Sequence, residues 1–209
     1  MTDPTDPRNP VLAGYAADAK ALIPRYEAVR SVDKLAPVAY LLPRKPSRVA
    51  DIGAGTGVDA AWFAAQGHSV LAIEPTKELR EAGRQLHPSA NIVWLDDSLP
   101  ALEKALSTDE RFDLVLACGV WAHLSEEARG EALASMTRLL APGGLLILSI
   151  RHGPSAPGRP TYPAPVEQVI AQASGLRLIF HGEADSVQAA NRAAGVTWSW
   201  LAFRTAPAP

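Results

Sequence analysis

The chain has 209 residues, of which 47% are hydrophobic and 20% are charged, a composition typical of globular domains. Lysine and arginine number 20 against 22 acidic residues, a net charge of −2, which argues against a nucleic-acid partner because no basic field covers the protein. The single cysteine, Cys118, excludes an internal disulfide framework and a cysteine-rich zinc site, and we expect no bound metal.

The first ten residues are polar and rich in proline, so we expect residues 1–10 to form a disordered tail. They lack the charged and then apolar pattern of a signal peptide. No apolar run approaches the ~18 residues that a membrane span needs. The sequence therefore predicts a cytoplasmic protein of one domain that does not enter membranes.

Residues 11–42 carry apolar positions at helical spacing, interrupted by Pro24 and Pro37. Because proline breaks the hydrogen bonding of a helix, this pattern predicts two or three short helices. Two tyrosines, Tyr15 and Tyr26, lie in this segment. They are interpreted either as a lid over a binding site or as core residues of amphipathic helices.

From residue 48 onward, short apolar runs alternate with stretches of helical periodicity. Strands and helices that alternate at this spacing form right-handed βαβ units, so the pattern predicts a parallel sheet covered on both faces. The predicted strands are 48–52, 69–74, 91–95, 112–118 and 145–150, and the predicted helices lie near 57–66, 76–87, 100–107 and 125–140.

The last two predicted strands, 175–184 and 195–204, are separated by only about ten residues. This length is marginal for a helical crossover and favours a hairpin-like, antiparallel pairing. The sequence therefore predicts an α/β fold with a doubly wound, seven-stranded, mostly parallel sheet and an antiparallel terminal strand.

Three glycines, Gly53, Gly55 and Gly57, follow the first predicted strand, and Asp51 stands just before them. Glycines in this position let the backbone approach a ligand closely, and the following helix offers its N-terminal amides. The dinucleotide fingerprint GxGxxG is incomplete, because Val58 occupies the place of its last glycine. A tight strand-to-helix corner without a ligand is the alternative interpretation.

Acidic residues follow the next two predicted strands: Glu74 ends the second, and Asp96 and Asp97 end the third. A carboxylate in the first place can accept hydrogen bonds from the ribose hydroxyls of a nucleoside, and one in the second place from an adenine amine. Each acid alone is equally typical of a solvated loop or a helix cap. Their joint placement at successive strand ends favours a ligand.

In order, these motifs resemble those of class I S-adenosylmethionine-dependent methyltransferases, which have a Rossmann-like fold. The resemblance rests on "VADIGAGTG", "VLAIEPTKELR", "VWLDDSLP", "FDLVLACGVWAHL" and "RLLAPGGLLILSI". It implies that residues 46–205 form a core that binds S-adenosylmethionine and that residues 11–45 form a helical cap over the active site.

The resemblance also implies contacts to this cofactor. Glu74 would hold the ribose hydroxyls with Pro75 beside the adenine, and Asp97 would meet the adenine amine. Asp96 stands where family members commonly have glycine, which leaves the choice between the two acids open. The expected cofactor-binding residues are Asp51, Gly53, Ala54, Gly55, Gly57, Glu74, Pro75, Asp96, Asp97, Ser98, Cys118 and Gly119.

The candidate catalytic residues, on the acceptor side, are His123, Arg151 and His152. His123 follows the fourth strand and is interpreted as a base or as a packing residue. Arg151 and His152 are expected just past the fifth strand, where they would bind or position an anionic acceptor or anchor the loop that follows.

The resemblance implies an enzyme that moves a methyl group by direct displacement. A small-molecule acceptor is favoured, because little chain remains for a domain that recognises a macromolecule. A methyltransferase of RNA or protein and a non-catalytic S-adenosylmethionine-binding protein are the alternatives. We expect a monomer or a homodimer.

Overall fold

The computed structural model describes residues 9–173 and 175–207, so most of the predicted tail, residues 1–8, lies outside the described residues. The helices are α1 (Pro10–Glu27), α2 (Ser31–Lys34), α3 (Val58–Ala65), α4 (Lys77–Leu86), α5 (Glu103–Leu106), α6 (Glu126–Leu139), α7 (Val166–Gln172) and α8 (Ala189–Ala193). The strands are β1 (Arg48–Ile52), β2 (Ser69–Ile73), β3 (Ile92–Leu95), β4 (Phe112–Cys118), β5 (Leu140–His152), β6 (Arg177–Asp185) and β7 (Thr197–Arg204). Two 3₁₀ turns are Ala36–Leu41 and Trp121–His123.

The seven strands form one sheet in the order β3-β2-β1-β4-β5-β7-β6. Neighbours from β3 through β5 pair in parallel, whereas β7 is antiparallel to both β5 and β6. The last strand of the chain therefore inserts between two parallel strands. The predicted Rossmann-like, mostly parallel sheet with an antiparallel terminal strand is confirmed.

Each face of the sheet buries its own apolar layer, because successive side chains of a strand point to opposite faces. In β5, Leu146 and Leu148 pack in the layer that contains Met136 of α6. Ile147 packs in the opposite layer with Phe63 of α3. Helices thus cover both faces and leave the carboxyl ends of the parallel strands free to form a site.

The N-terminal segment differs from its prediction, because Pro24 does not break the first helix. Helix α1 runs for 18 residues through Pro24. Only three helical residues follow this proline, so the hydrogen bond that it cannot donate lies in the last turn, where the cost is small. The start of α1 is capped by Asn9, whose Oδ1 accepts the N–H of Val11 at 3.0 Å, with Pro10 in the first turn.

The fifth strand is longer than predicted, and this changes the setting of Arg151 and His152. Both were expected just past the end of the strand, but they are the last two residues of β5. Arg151 pairs with Trp198 of β7, and His152 pairs with Thr197. Pairing with β7 extends the strand through these two residues. Because successive side chains of a strand point to opposite faces, the two side chains lie on opposite faces of the sheet.

Among the described residues, no helix has the length and apolar character needed to cross a membrane.

Candidate active site

A cavity of about 710 Å³ lies at the carboxyl ends of the parallel strands. Its floor comes from the ends of β1, β2, β3 and β4, and its walls come from α1, α2 and the loop after β5. Tyr26 of α1 lies directly over the glycine-rich loop: a Cβ added to Gly55 would be 3.5 Å from the ring. The size of the cavity is within the range of ~300–1,000 Å³ that is typical of small-molecule sites.

The glycine-rich loop after β1 is fixed by the end of β2. The amides of Gly53 and Ala54 both donate to the carbonyl of Ile73, at 2.8 and 2.9 Å. The carboxylate of Glu74 accepts the amide of Gly55 at 2.8 Å and that of Thr76 at 2.7 Å. Burial raises the pKa of Glu74, and the two amides oppose this shift. The carboxylate lines the cavity with its oxygens already oriented.

Gly57 has a structural position rather than a place in the cavity lining. Its φ of +80° is in the left-handed region, and a Cβ there would lie 2.6 Å from the ring of Trp94. This residue begins α3 as its N-terminal cap. Gly53, Ala54 and Gly55 do line the cavity. The loop therefore needs glycine at position 57 for close packing. The residues that precede this position expose their backbone to the cavity.

A buried charge cluster lies beneath this loop. Asp51 is 2% exposed, and its Oδ2 atom has no hydrogen-bond partner in the described part of the chain. Nearby, Asp59 of α3 forms an ion pair with Lys34 of α2. Burial raises the pKa of Asp51 to about 8, the charge of Asp59 adds to this, and Lys34 opposes it. Asp51 lines the cavity as a carboxyl group that lacks a cation of its own.

The structure separates the two acids that follow β3. Asp97 is buried and lines the cavity, and it accepts the amides of Ser98 and Ala105, both at 2.9 Å. Asp96 lies outside the cavity lining with a side chain that is 50% exposed, and it pairs with Arg80 at 3.0 Å. Of the two acids, only Asp97 is placed where it can reach a ligand.

The end of β4 supplies backbone to the cavity. Cys118 and Gly119 line it, and the amide of Gly119 donates to the hydroxyl of Ser149 at 3.0 Å. Burial raises the pKa of the Cys118 thiol, with a smaller opposing effect of Lys34, so the thiol is neutral. The side chain of Trp198 lies against Gly119 from β7. The end of β4 therefore offers a neutral thiol and neutral backbone groups to the cavity, beside an aromatic side chain.

Tyr15 and His123 form a hydrogen-bonded pair at 2.9 Å, between the tyrosine hydroxyl and the Nε2 atom. The Nδ1 atom of His123 lies 2.8 Å from the carbonyl of Pro160, which can only accept. Nδ1 therefore carries the proton, Nε2 has a free lone pair, and the hydroxyl of Tyr15 donates to it. Burial lowers the pKa of His123, which keeps the ring neutral.

Of the two residues at the end of β5, the structure brings only Arg151 to the cavity. The Arg151 side chain lines it beside His123. His152, on the opposite face of the strand, has its Nε2 atom 2.8 Å from the hydroxyl of Ser199 and lies outside the lining. Side chains alternate between the two faces along the last residues of β5, which the sequence did not predict as strand, and this alternation separates the two neighbours.

The cavity also contains charged residues that the sequence reasoning missed. Lys34 lines it from α2, and Arg159 lines it from the loop after β5. Arg159 lies 5.1 Å above the centre of the Tyr15 ring and donates to Asp18 at 2.7 Å. Nothing local in the sequence marks either residue, because both reach the cavity through contacts with elements distant along the chain.

Comparisons with known proteins agree with this geometry. Residues 49–144 match the family of methyltransferase domains. An uncharacterised methyltransferase of Mycobacterium tuberculosis is 32% identical over 52% of this chain and 42% of its own length. Glycine N-methyltransferase of Mus musculus is 30% identical over 55% of this chain and 46% of its own length. The chain thus aligns with less than half of the length of each of these curated relatives.

A solved structure with the same fold is the 1,6-didemethyltoxoflavin-N1-methyltransferase of Burkholderia thailandensis, crystallised with 1,6-didemethyltoxoflavin and S-adenosylhomocysteine. Its TM-score is 0.71 at 21% identity, and the match covers 99% of this chain and 92% of that one. The matched domain, a little under half of the chain, and the shared fold together support a class I S-adenosylmethionine-dependent methyltransferase, whose cofactor is S-adenosylmethionine.

The cavity fits this cofactor on structural grounds. Five buried polar atoms of its lining residues have no hydrogen-bond partner among the described residues. These atoms are Asp51 Oδ2, Thr56 Oγ1, Asp59 Oδ1, Thr76 Oγ1 and Ser98 Oγ. Unsatisfied buried polar atoms are costly, and their concentration at one cavity indicates that a polar ligand completes them.

Proposed function

We propose that this protein is an enzyme that transfers the methyl group of S-adenosylmethionine to a small molecule. The observation that carries this proposal is the cavity itself, which is lined both by the strand-end carboxyl groups of Glu74 and Asp97 and by the hydrogen-bonded Tyr15–His123 pair. When bound, the cofactor supplies a methyl group on a sulfonium, which leaves readily and requires chiefly a well-placed acceptor.

In this proposal the strand ends hold the cofactor. Glu74 accepts hydrogen bonds from the ribose hydroxyls. Asp97 contacts the adenine, together with the hydroxyl of Ser98, which has no partner among the described residues. Asp51 and the backbone of Gly53 to Gly55 lie at the methionine end, together with the backbone at Cys118 and Gly119. We assign no cofactor contact to Asp96, which is paired with Arg80 outside the cavity. We assign none to Gly57, which packs against Trp94.

The Tyr15–His123 pair is proposed to accept the proton that the methyl acceptor loses. The tyrosine hydroxyl already donates to Nε2 of His123, so its oxygen can receive a hydrogen bond from an acceptor N–H or O–H. As the methyl group moves to the acceptor, this proton passes to the tyrosine oxygen, and the tyrosine proton passes to Nε2. The positive charge that the bound cofactor would carry on its sulfonium would then be on the protonated ring of His123, so charge is conserved.

The enclosure of the site supports a small acceptor. Helix α1 and the loop after β5 meet across the cavity, and Gly14 packs directly against the backbone of Gly158. A Cβ at position 14 would collide with the carbonyl of Gly158, so this contact requires glycine. Such a close roof leaves room for a metabolite and restricts a nucleic-acid strand or a folded protein.

Calorimetry with the purified protein tests the proposal. We expect S-adenosylmethionine and S-adenosylhomocysteine to bind and NADH not to bind. Formation of S-adenosylhomocysteine with a panel of small nucleophiles then separates an enzyme from a non-catalytic binding protein. Methylation of added RNA or protein, with no turnover of any small molecule, would contradict the small-molecule proposal.

A further inference from the structure

Two arginines face the same part of the cavity as the Tyr15–His123 pair. Arg151 comes from the end of β5, and Arg159 comes from the loop that follows it. We call these two residues the arginine pair. The two arginines stand on different parts of the backbone, a strand and a loop, and both line the cavity. Their shared position is therefore set by the fold.

Neutral groups hold the side chain of Arg151. Its Nη1 atom donates to the carbonyl of Pro154 at 2.8 Å and to that of Gly153 at 3.4 Å. In residues 9–173 and 175–207, no carboxylate forms an ion pair with it. The carbonyls orient the guanidinium without cancelling its charge, and its other N–H groups are available to a ligand.

Arg159 has a carboxylate partner that lies on the solvent side. The side chain of Arg159 is 11% exposed, whereas that of Asp18 is 48% exposed. Only the Nη1 atom of Arg159 contacts Asp18, and the guanidinium plane lies over the ring of Tyr15. Solvent screens the carboxylate, so it offsets the buried positive charge only in part.

The charges of the two guanidiniums act on the same neighbour, the ring of His123. After the dominant effect of burial, the charges of Arg159 and Arg151 both lower the pKa of His123. Burial also lowers the pKa of Arg151, and Arg159 lowers it further. This part of the cavity therefore holds two cations and one half-exposed carboxylate.

The other charges of the cavity lie elsewhere. Asp51, Glu74 and Asp97 stand at the ends of β1, β2 and β3, on the cofactor side, and Lys34 is paired with Asp59. Arg25 lines the cavity from α1, and Asp33 lines it from α2. Asp185, at the end of β6, is exposed at the rim. The excess of positive charge at the arginine pair is therefore local.

We propose that the methyl acceptor carries an anionic group, a carboxylate or a phosphate, which the arginine pair binds. This inference rests on the proposed function. A guanidinium fork matches a carboxylate or phosphate in bidentate geometry, and such charge-assisted hydrogen bonds are about twice as strong as neutral ones. Anchoring the anion at Arg151 and Arg159 places the rest of the molecule beside the hydroxyl of Tyr15 and the ring of Trp198.

Binding of simple probes to the complex with S-adenosylhomocysteine tests this inference. Benzoate and phenyl phosphate carry the two anions, and benzamide is the neutral isostere of benzoate. We expect at least one anion to bind ten times more tightly than benzamide. The tighter of the two anions identifies the acceptor group.

Variants then locate the anion site. We expect Arg151→Gln to lose at least tenfold of the anion affinity while its affinity for S-adenosylhomocysteine stays within twofold of wild type. Arg177→Gln, an exposed arginine on β6 outside the cavity, is the matched control and should keep the preference. Arg159→Lys keeps the charge near Asp18 and loses the fork, so it should weaken phosphate less than Arg151→Gln does.

Two results would overturn the inference: benzoate and phenyl phosphate binding no better than benzamide, or an unchanged anion preference in Arg151→Gln. Either result leaves the proposed methyltransferase function intact if S-adenosylhomocysteine still binds. If S-adenosylhomocysteine itself does not bind, the proposed function fails. The same three probes, titrated against the free protein, then still decide whether the arginine pair binds anions.

Discussion

The carboxylate of Glu74, at the end of β2, accepts the backbone N–H of Gly55 in the loop after β1 at 2.8 Å. One side chain thus fixes the glycine-rich loop and faces the cavity. Its second oxygen accepts the amide of Thr76 at 2.7 Å, so both oxygens are oriented before any ligand arrives. A site organised in this way spends little free energy on ordering when the cofactor binds.

Replacement of Glu74 by glutamine should weaken cofactor binding at least tenfold. The amide keeps the size of the side chain but loses its charge and one acceptor oxygen. A hydrogen bond to a charged group contributes about 1.5–3 kcal/mol. Calorimetric titration with S-adenosylhomocysteine measures the change, and Glu183→Gln, an exposed glutamate on β6, is the control. Equal affinities of both variants would contradict the role of Glu74 in binding ribose.

The two acids after β3 should respond differently to the same substitution. We expect Asp97→Asn to lower cofactor affinity roughly tenfold, because a charged acceptor in the cavity is removed. Asp96→Asn should leave the affinity within about twofold, since a surface ion pair such as that with Arg80 contributes little. Thermal unfolding of both variants shows whether the loop that Asp97 holds is intact. A larger loss of affinity in Asp96→Asn would reverse the assignment.

The sequence predicted the sheet well because its signal is local. β1 and β4 are mostly apolar runs, and both are found at the predicted bounds, Arg48–Ile52 and Phe112–Cys118. The C-terminal part of β5 depends instead on pairing with β7, which is distant in sequence. The sequence therefore predicted Arg151 and His152 just past the strand, whereas they are its last two residues. The helix break predicted at Pro24 was wrong for a related reason, because the effect of a proline depends on its distance from the end of the helix.

The same distinction applies to the site. Strand-end acids could be expected from the fold alone, because parallel strands place their carboxyl ends along one edge. The choice between Asp96 and Asp97 depends on which side chain Arg80 holds at the surface. Arg159 reaches the cavity through Tyr15 and Asp18 of α1, a contact between distant segments that periodicity does not encode.

Gly57→Ala should destabilise the protein by about 1–3 kcal/mol, because the new Cβ combines left-handed strain with overpacking. At this position φ is +80°, and the Cβ would lie 2.6 Å from Trp94. Gly130→Ala is the matched control: Gly130 lies in α6, and an added Cβ meets nothing within 4 Å. That change should stabilise the helix by roughly 0.5–1 kcal/mol. Urea unfolding measures both variants, and equal midpoints would contradict the argument.

Cofactor binding should release a proton from Asp51. Burial and then the charge of Asp59 raise the pKa of this carboxyl to about 8, so near pH 7 it is mostly protonated in the free protein. The cationic methionine end of the cofactor favours the carboxylate and lowers the pKa again. Affinity should therefore rise with pH up to about 8 and become constant above it.

Calorimetry in phosphate and Tris buffers measures this proton, because the two buffers differ in ionisation enthalpy. The apparent binding enthalpy should differ between the buffers at pH 7 for wild type and agree for Asp51→Asn. Lys34→Met should enlarge the effect, since its positive charge opposes the raised pKa of Asp51. Equal enthalpies in both buffers for wild type would show that Asp51 is already ionised.

Removal of the hydroxyl of Tyr15 should lower kcat by at least about a hundredfold, the usual contribution of a positioned proton acceptor. Tyr15→Phe keeps the ring beneath Arg159 and removes the hydroxyl that is bonded to His123. Its affinity for S-adenosylhomocysteine should stay within about twofold, since the change leaves the strand ends untouched. Tyr40→Phe, at a side chain that is 61% exposed outside the cavity, is the control.

The pH profile separates proton transfer from simple positioning. Burial lowers the pKa of His123 below its ordinary value of 6.5, so the neutral ring can accept a proton at pH values where a free histidine is charged. On the acidic side of the pH profile, the decrease of kcat/KM should therefore have its midpoint below pH 6.5 in wild type. This decrease should be absent in His123→Gln. If Tyr15→Phe and His123→Gln keep both kcat and this decrease, the pair only supports the roof of the cavity, and proton removal is left to water.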